Sequence, residues 1–409
     1  MSAPWLALVE SNTSGTGRLF ARAARELGCR PILLASDPAR YADIAEDGVD
    51  LLRVDTSNVE SILGACRGLA GGGLAGVTTS SEYFVVLTAA VARALGLPGA
   101  DEAALATCRD KHLQRERLAR AGVAVPAFRC ARSADDARAA AGELGPPVVV
   151  KPVSGSGSAG VRRCASAGEA ADHAASLLAV TANERGQSVP RKVLVESLVS
   201  GDEFSVETMG RDVIGVTAKR LGPLPHFVEI GHEHPADVAP ARASALAGTA
   251  LAALDALGLG WGPAHTELRW SEAGPVVIEV NPRLAGGFIP ELVRLARGVD
   301  LVLATVDRAR GGEPSCANEA RAYAALRFVL APREGTYRAA HGVDEAAAVP
   351  SIVEARIYPR PGAAVLLRND FRDRVGHVIA RAATAAGARS AVEQALGAIR
   401  LDVDPAGAA

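Results

Sequence analysis

The run Val276-Val277-Ile278-Glu279-Val280 sets one carboxylate among aliphatic, mostly β-branched residues. Such a run favours a strand, and a bare carboxylate is expensive to bury there without a counterion. Thr266 to Trp270 has a similar texture, and Ser271-Glu272-Ala273-Gly274-Pro275 between the two runs is a turn, which predicts an antiparallel hairpin. A side-chain period of two then puts Glu279 and Asn281 on one face, with Glu267 able to lie across from them. Carboxylate and amide oxygens suit magnesium, which takes few protein ligands and completes its shell with phosphates. Taken singly, Glu267 and Glu279 would pass for solvent-face residues; the apolar setting of Glu279 speaks against that.

The 409 residues suffice for two to four modules with large cores. A formal net charge of -2 supplies no field that would select nucleic acid or an anionic membrane. The first ten residues lack a basic region and a long apolar stretch, and no later segment has the apolar length of a membrane span. A cytoplasmic protein is expected. Six cysteines without a CxxC pair argue against zinc, iron-sulfur clusters and a disulfide framework. Of 44 basic residues only Lys111, Lys151, Lys192 and Lys219 are lysines. In so arginine-rich a chain, a lysine in an apolar or glycine-flanked setting is a compact point charge suited to phosphate. Lys192 beside Arg191 needs no explanation beyond chance.

Along the chain, residues 5 to 9 form a strand, Ser11-Asn12-Thr13-Ser14-Gly15-Thr16-Gly17 turns into a helix to about Leu27, and Pro31 to Ala35 is a second strand. This is a βαβ start, but Phe20 stands where a dinucleotide fingerprint needs its third glycine. The turn reads as structural or substrate-facing. Asp101 to Ala121 reads as one helix with Arg109-Asp110-Lys111 on its polar side. Lys151 lies on the strand Val148 to Val153, and Ser154-Gly155-Ser156-Gly157-Ser158-Ala159-Gly160 follows. That loop matches G-x-G-x-x-G literally, but a strand, Val161 to Cys164, comes next, which fits a glycine hairpin folding over phosphates and not a Rossmann turn. Further strands are read over 192–199, 201–209 and 213–219, and helices over 241–257 and 290–309. Beyond Pro314 the texture becomes strand-rich, ending in a helix from Ser390.

In order, Lys111, Lys151 before the glycine loop, Val195-Glu196-Ser197-Leu198, Glu203, Lys219, Glu267 and Glu279-x-Asn281-x-Arg283 form a set. It resembles the ATP-grasp superfamily of ATP-dependent carboxylate-amine ligases. The resemblance implies an α/β chain with an ATP-grasp fold, two α+β subdomains gripping ATP, between an N-terminal open α/β domain and a strand-rich C-terminal cap. The implied boundaries are 1–100, 101–195 (linker helix and small lid subdomain), 196–320 (large subdomain) and 321–409. Lys111 and Lys151 would contact the phosphates, with Ser154, Gly155, Ser156, Gly157 and Ser158 in the lid loop. Glu196, Ser197 and Leu198 would be the hinge whose backbone meets adenine, and Glu203 would hold ribose. Glu267, Glu279 and Asn281 would hold magnesium, with manganese as an alternative. Arg283 would steady the acyl phosphate and the oxyanion.

The segment from Lys219 to Pro235, and Arg283-Leu284-Ala285-Gly286-Gly287, further resemble the L-amino acid ligases of the bacilysin-synthetase and dapdiamide-synthase type. By that likeness Glu82, His232, Arg283, Gly286 and Gly287 would face amino acid substrates, with Lys219 and His232 near the reacting groups. Small-molecule substrates follow, and a homodimer is compatible with it. His232-Glu233-His234 offers too few imidazoles for a transition-metal site; a lone loop histidine is usually solvated, and His265 reads as structural. A biotin-carboxylase-like or purine-pathway ligase would share the same ATP site, although the chain has no Met-Lys biotin acceptor. A nucleotide-binding scaffold would have no need of Glu267, Glu279, Asn281 and Arg283 together.

Overall fold

The computed structural model describes residues 3–12, 16–69, 73–316 and 319–405. Near the start, β1 (Trp5–Val9), β2 (Arg30–Ala35), β3 (Asp50–Arg53) and β4 (Leu74–Thr78) form a parallel sheet in the order β3-β2-β1-β4. Every residue of β1 is buried, as its unbroken apolar run requires in a sheet covered on both faces. The order reverses at β1, so the carboxyl ends of β1 and β4 bound a crevice of the kind where open α/β sheets take ligands. Thr13, Ser14 and Gly15 of the predicted turn lie outside the described residues; the helix Thr16–Glu26 follows them.

A second, antiparallel sheet holds β5 (Phe128–Ala131), β6 (Val148–Pro152), β7 (Arg162–Cys164) and β8 (Val193–Ser197) in the order β5-β8-β6-β7. Helices Ala134–Leu144 and Ala167–Leu178 pack against it through small alanines. Both are opened by a serine, Ser133 or Ser166, whose hydroxyl accepts an amide of the first turn.

The third sheet is built from β9 (Glu203–Met209), β10 (Asp212–Leu221), β11 (Glu229–His234), β12 (Pro263–Ser271) and β13 (Gly274–Asn281). The C-terminal stretch adds β14 (Tyr323–Leu330), β15 (Gly335–His341), β16 (Ile352–Ile357), β17 (Ala364–Val365), β18 (Arg374–Ala382) and β19 (Arg400–Pro405). Eight of these run as β13-β12-β9-β10-β11-β14-β18-β16, while β17-β15-β19 form a separate small sheet. β14 pairs with β11 from Gly231↔Arg327 to His234↔Ala324. One sheet therefore crosses the implied 320/321 boundary, and the 195/196 boundary falls inside β8. Among the described residues no helix is long and apolar enough to cross a membrane.

Two predicted helices are each broken in two. Asp110 ends Glu102–Arg109 and caps Lys111–Arg120, its carboxylate accepting the amides of His112 and Leu113 at 3.0 and 3.2 Å. The break frees the Lys111 amide to bond Val153 O at 2.8 Å. Likewise Gly298, at φ +73°, stops Ile289–Arg297, and Asp300 caps Leu301–Ala309. The final helix begins at Ala385, five residues before the predicted Ser390.

β13 is an edge strand, and side chains satisfy its backbone. The Gln114 amide donates to Val280 O at 2.8 Å and accepts from Val280 N at 2.9 Å, and Arg115 donates to Ile278 O. Both side chains are fully buried. Covering an edge in this way blocks pairing with other chains and fixes the strand that carries Glu279.

Candidate active site

The predicted hairpin forms with the expected facing. His265 pairs with Asn281, and Glu267 with Glu279. The opposite face, with Leu268, Val277 and Val280 wholly buried, packs on the helix Pro240–Leu257. The polar face opens on a cleft of about 110 Å³ that meets a larger cavity of about 1930 Å³ at the glycine loop, Glu229, Glu267 and Arg283. Every residue expected at the site lines one or both of these spaces, His232 excepted.

Carboxylates already neutralise the cations expected to meet phosphate. Lys111 Nζ lies 3.0 Å from Glu279 Oε1 and donates to Gly155 O at 2.8 Å. Lys151 Nζ sits 2.5 Å from Glu196 Oε2, and Arg115 Nε donates to Glu196 Oε1 at 2.5 Å. Burial opposes ionisation of Glu196, but Arg115 and Lys151 outweigh it and hold the carboxyl below its usual range. Burial also lowers the Lys151 ammonium against the pull of Glu196. The hinge expected for adenine is partly committed: the Ser197 amide bonds Ala127 O at 2.9 Å, which leaves Leu198, on the cleft wall, as the next backbone in line.

Lys219 is the hub of the cleft. Its ammonium lies 2.9 Å from Glu203, 2.6 Å from Glu229 and 3.2 Å from Glu267. Burial alone would discharge it, yet Glu203, Glu229 and Glu267 raise it well above its ordinary value. Glu203, implied as a ribose contact, is further held by Arg269 Nε at 3.0 Å. Glu229 was not singled out in the sequence. It takes a second cation from the C-terminal stretch, Arg374 Nη2, at 3.0 Å. Lys192, for which the sequence offers no role, ties the lid sheet to Asp110 at 2.6 Å.

Behind the hairpin, His265 Nδ1 donates to Glu207 at 3.0 Å and Nε2 to Glu267 at 3.1 Å. Burial disfavours the imidazolium, but these carboxylates, Glu207 foremost, raise His265 to about 9. A histidine that donates from both nitrogens orients the carboxylate it holds, so His265 is structural in a way that bears on Glu267. Glu207 itself carried no signal in the sequence.

Glu82 faces Arg283 across the domain boundary. Arg283 donates to Glu82 Oε2 from Nε and Nη2 at 3.0 and 2.8 Å, and Arg109 Nη1 reaches Glu82 Oε1 at 2.6 Å. Burial would raise the Glu82 carboxyl, but Arg283 and then Arg109 bring it down to about 2. Arg283 is thereby fixed in direction by a carboxylate from the first domain.

His232 departs from expectation. It lies in β11, not a loop, and is fully buried rather than solvated. A side chain at Gly287, at φ +59°, would meet its Nε2 at 2.5 Å, so glycine is required there. Burial pushes the imidazole down to about 3, and neither ring nitrogen has a hydrogen-bond partner. Nε2 stands 3.5 Å from Glu229 Oε2. His232 therefore packs behind Gly287 and beside Glu229 and does not line the cavity. The glycine loop is docked as well: Ser158 Oγ donates to Phe227 O at 2.7 Å, and the Phe371 amide reaches Gly157 O at 3.3 Å. Gly157, at φ +63°, has the Phe371 ring 2.4 Å from where a Cβ would stand.

Among the described residues no group of three or more His, Cys, Asp and Glu is placed to hold a metal. The available donors are Glu267, Glu279 and Asn281, which fit a hard cation whose remaining ligands are phosphate and water.

Residues 144–291 match the model for the ATP-grasp domain, and residues 327–404 that for the L-amino acid ligase C-terminal domain 2. The chain is 39% identical over 401 residues to protein y4rH of Sinorhizobium fredii, covering 98% of itself and 83% of that protein. It is 34% identical to carnosine synthase 1 of Gallus gallus over 73% of itself but only 34% of that much longer protein. The L-amino acid ligase of Bacillus licheniformis superposes with a TM-score of 0.82 at 21% identity, covering 99% of this chain and 100% of the other, which establishes the fold. With Lys111 and Lys151, the glycine loop and the carboxylate hairpin in that order, the chain belongs to the ATP-grasp superfamily of carbon–nitrogen ligases.

Proposed function

We propose that the chain joins the carboxylate of an amino acid or related acid to the amine of a second amino acid, with ATP going to ADP and phosphate through an acyl phosphate. The observation that carries this reading is that Glu267 and Glu279 pair across the hairpin while Arg283, two residues beyond Asn281, lines the same cavity. Nucleotide binding alone would not call for that guanidinium. The L-amino acid ligase C-terminal domain and the likeness to carnosine synthase support amino acids as substrates.

In this reading a carboxylate oxygen of the acid attacks the γ-phosphorus, and the bond to the bridging oxygen breaks as ADP leaves. Lys111 and Lys151 neutralise the phosphate oxygens. Magnesium held by Glu267, Glu279 and Asn281 would neutralise charge on the β- and γ-phosphates. The amine then attacks the acyl carbon, loses a proton, and expels phosphate with the electron pair of the C–O bond. Arg283, aimed by Glu82, donates to the tetrahedral oxyanion. With its carboxyl at about 2, Glu82 is a poor proton acceptor, so its part is to position Arg283.

Purified protein given magnesium, ATP and single amino acids in pairs is expected to release phosphate and form a dipeptide-mass product for a subset of pairs. Phosphate release at background for all pairs would contradict the reading.

A further inference from the structure

We propose that Arg356 anchors the free carboxylate of the amine-bearing substrate, against a wall made by Tyr358, Phe288 and His377; this rests on the ligase reading above. Six arginines line the large cavity: Arg109, Arg185, Arg283, Arg356, Arg372 and Arg374. Five are answered. Arg109 and Arg283 share Glu82, Arg374 holds Glu229, Arg372 holds Asp370, and Arg185 donates to Tyr41 OH and Ser11 O. Among the described residues Arg356 has no carboxylate or hydrogen-bond partner. Glu354, on the same strand face, is turned to His377 Nε2 at 3.5 Å and leaves the guanidinium unanswered. Arg356 is itself exposed on the cavity wall, and a solvent-reachable guanidinium without a partner is open to a carboxylate.

Its surroundings are arranged for a ligand. Glu354, Arg356 and Tyr358 alternate along β16 and its extension, so all three face the cavity. Tyr358 OH is 2.7 Å from His377 Nδ1, and the Phe288 ring lies 4.3 Å from the His377 ring. Phe288 sits at φ +62°, a region that bulky residues rarely adopt, and is held there directly after Gly286 and Gly287. Phe288 and Tyr358 remain 38% and 42% exposed, which leaves their ring faces open to the cavity. Contacts connect this wall to the reacting end: Phe288 neighbours Phe328, the Arg374 guanidinium lies over Phe328 at 4.1 Å, and Arg374 holds Glu229.

The chemistry separates the two carboxylates. The acid's carboxylate is consumed at the phosphate end. The amine substrate keeps its own, which becomes the carboxyl terminus of the product. A cation away from the phosphates is needed to stop it from competing for Arg283. Arg356 on the C-terminal wall meets that requirement, and the aromatic faces beside it suit an apolar or planar side chain.

The test compares wild type, Arg356→Gln and Arg356→Lys on each productive amine substrate and on its carboxamide, read as ADP release. Wild type is expected to prefer the free acid form by roughly 10- to 100-fold in kcat/KM, the range of one charge-assisted contact. Arg356→Gln should abolish that preference by raising KM for the acid form while leaving the carboxamide unchanged, and Arg356→Lys should restore part of it. Arg360, exposed like Arg356 but absent from the cavity lining, is the control, and Arg360→Gln should behave as wild type. An active wild type whose preference survives in Arg356→Gln overturns the anchor alone. A wild type inactive with every pair overturns the ligase reading and the anchor with it.

Discussion

The two ends of the cavity are built on opposite principles. At the phosphate end each lysine is bound to at least one carboxylate, and Lys219 to three. At the C-terminal wall Arg356 has none among the described residues, and two aromatic side chains remain half open. Dense internal pairing fixes geometry before any ligand arrives, which serves a step common to every substrate. An unanswered cation beside adaptable surface serves selection, since it is satisfied only by the right partner. The first end draws on the helix that begins at Lys111 and on strands from β6 to β13, the second on the β13–helix connection and on β16 and β18.

The largest expected effect falls at the phosphate end. Glu279→Gln keeps the shape but removes one charge from the carboxylate pair, and should lower kcat by on the order of 1000-fold. Steady-state ADP release on folded protein checks it, and near-normal turnover would sink the metal assignment. Arg283→Lys, which loses the planar fork held by Glu82, should cost about 100-fold in kcat with little change in KM for ATP.

How much of this was legible in the sequence follows the same division. The hairpin, Glu267, Glu279, Asn281, Arg283 and the glycine loop were readable because their chemistry is local and the flanking residues enforce the period. Arg115 and Glu207 were not, since each gains its meaning from a partner 81 or 58 residues away in the chain. The breaks at Asp110 and Gly298 were missed although a capping aspartate and a glycine stood at the points where the helices end. His232 was placed at the substrates by resemblance alone, whereas the ring is buried in β11 beside Gly287. Arg356 gave no signal in a chain so rich in arginine.

Stability should report the tie between the domains. The Glu82 carboxyl titrates at about 2 in the folded chain, below its ordinary 4.5. A depressed value adds stability that is complete above pH 4.5 and is lost as pH falls toward 2, a contribution of roughly 3 kcal/mol. Urea midpoints between pH 5 and 3 should fall less steeply for Glu82→Gln than for wild type; equal slopes would show that Glu82 is not held ionised by Arg283. The smallest effect belongs to the open wall: Phe288→Ala should change KM for the amine substrate about 10-fold, about 1.4 kcal/mol, and leave KM for ATP alone. A shift in the ATP constant instead would place Phe288 with the phosphate end and erase the contrast.

Oxygen transfer is the most direct measurement. With a productive pair in hand, the acid substrate is labelled with oxygen-18 in its carboxylate and the released phosphate is examined by mass. An acyl phosphate requires one labelled oxygen to leave with phosphate at each turnover. Unlabelled phosphate alongside labelled dipeptide, or AMP with pyrophosphate in place of ADP, would contradict it.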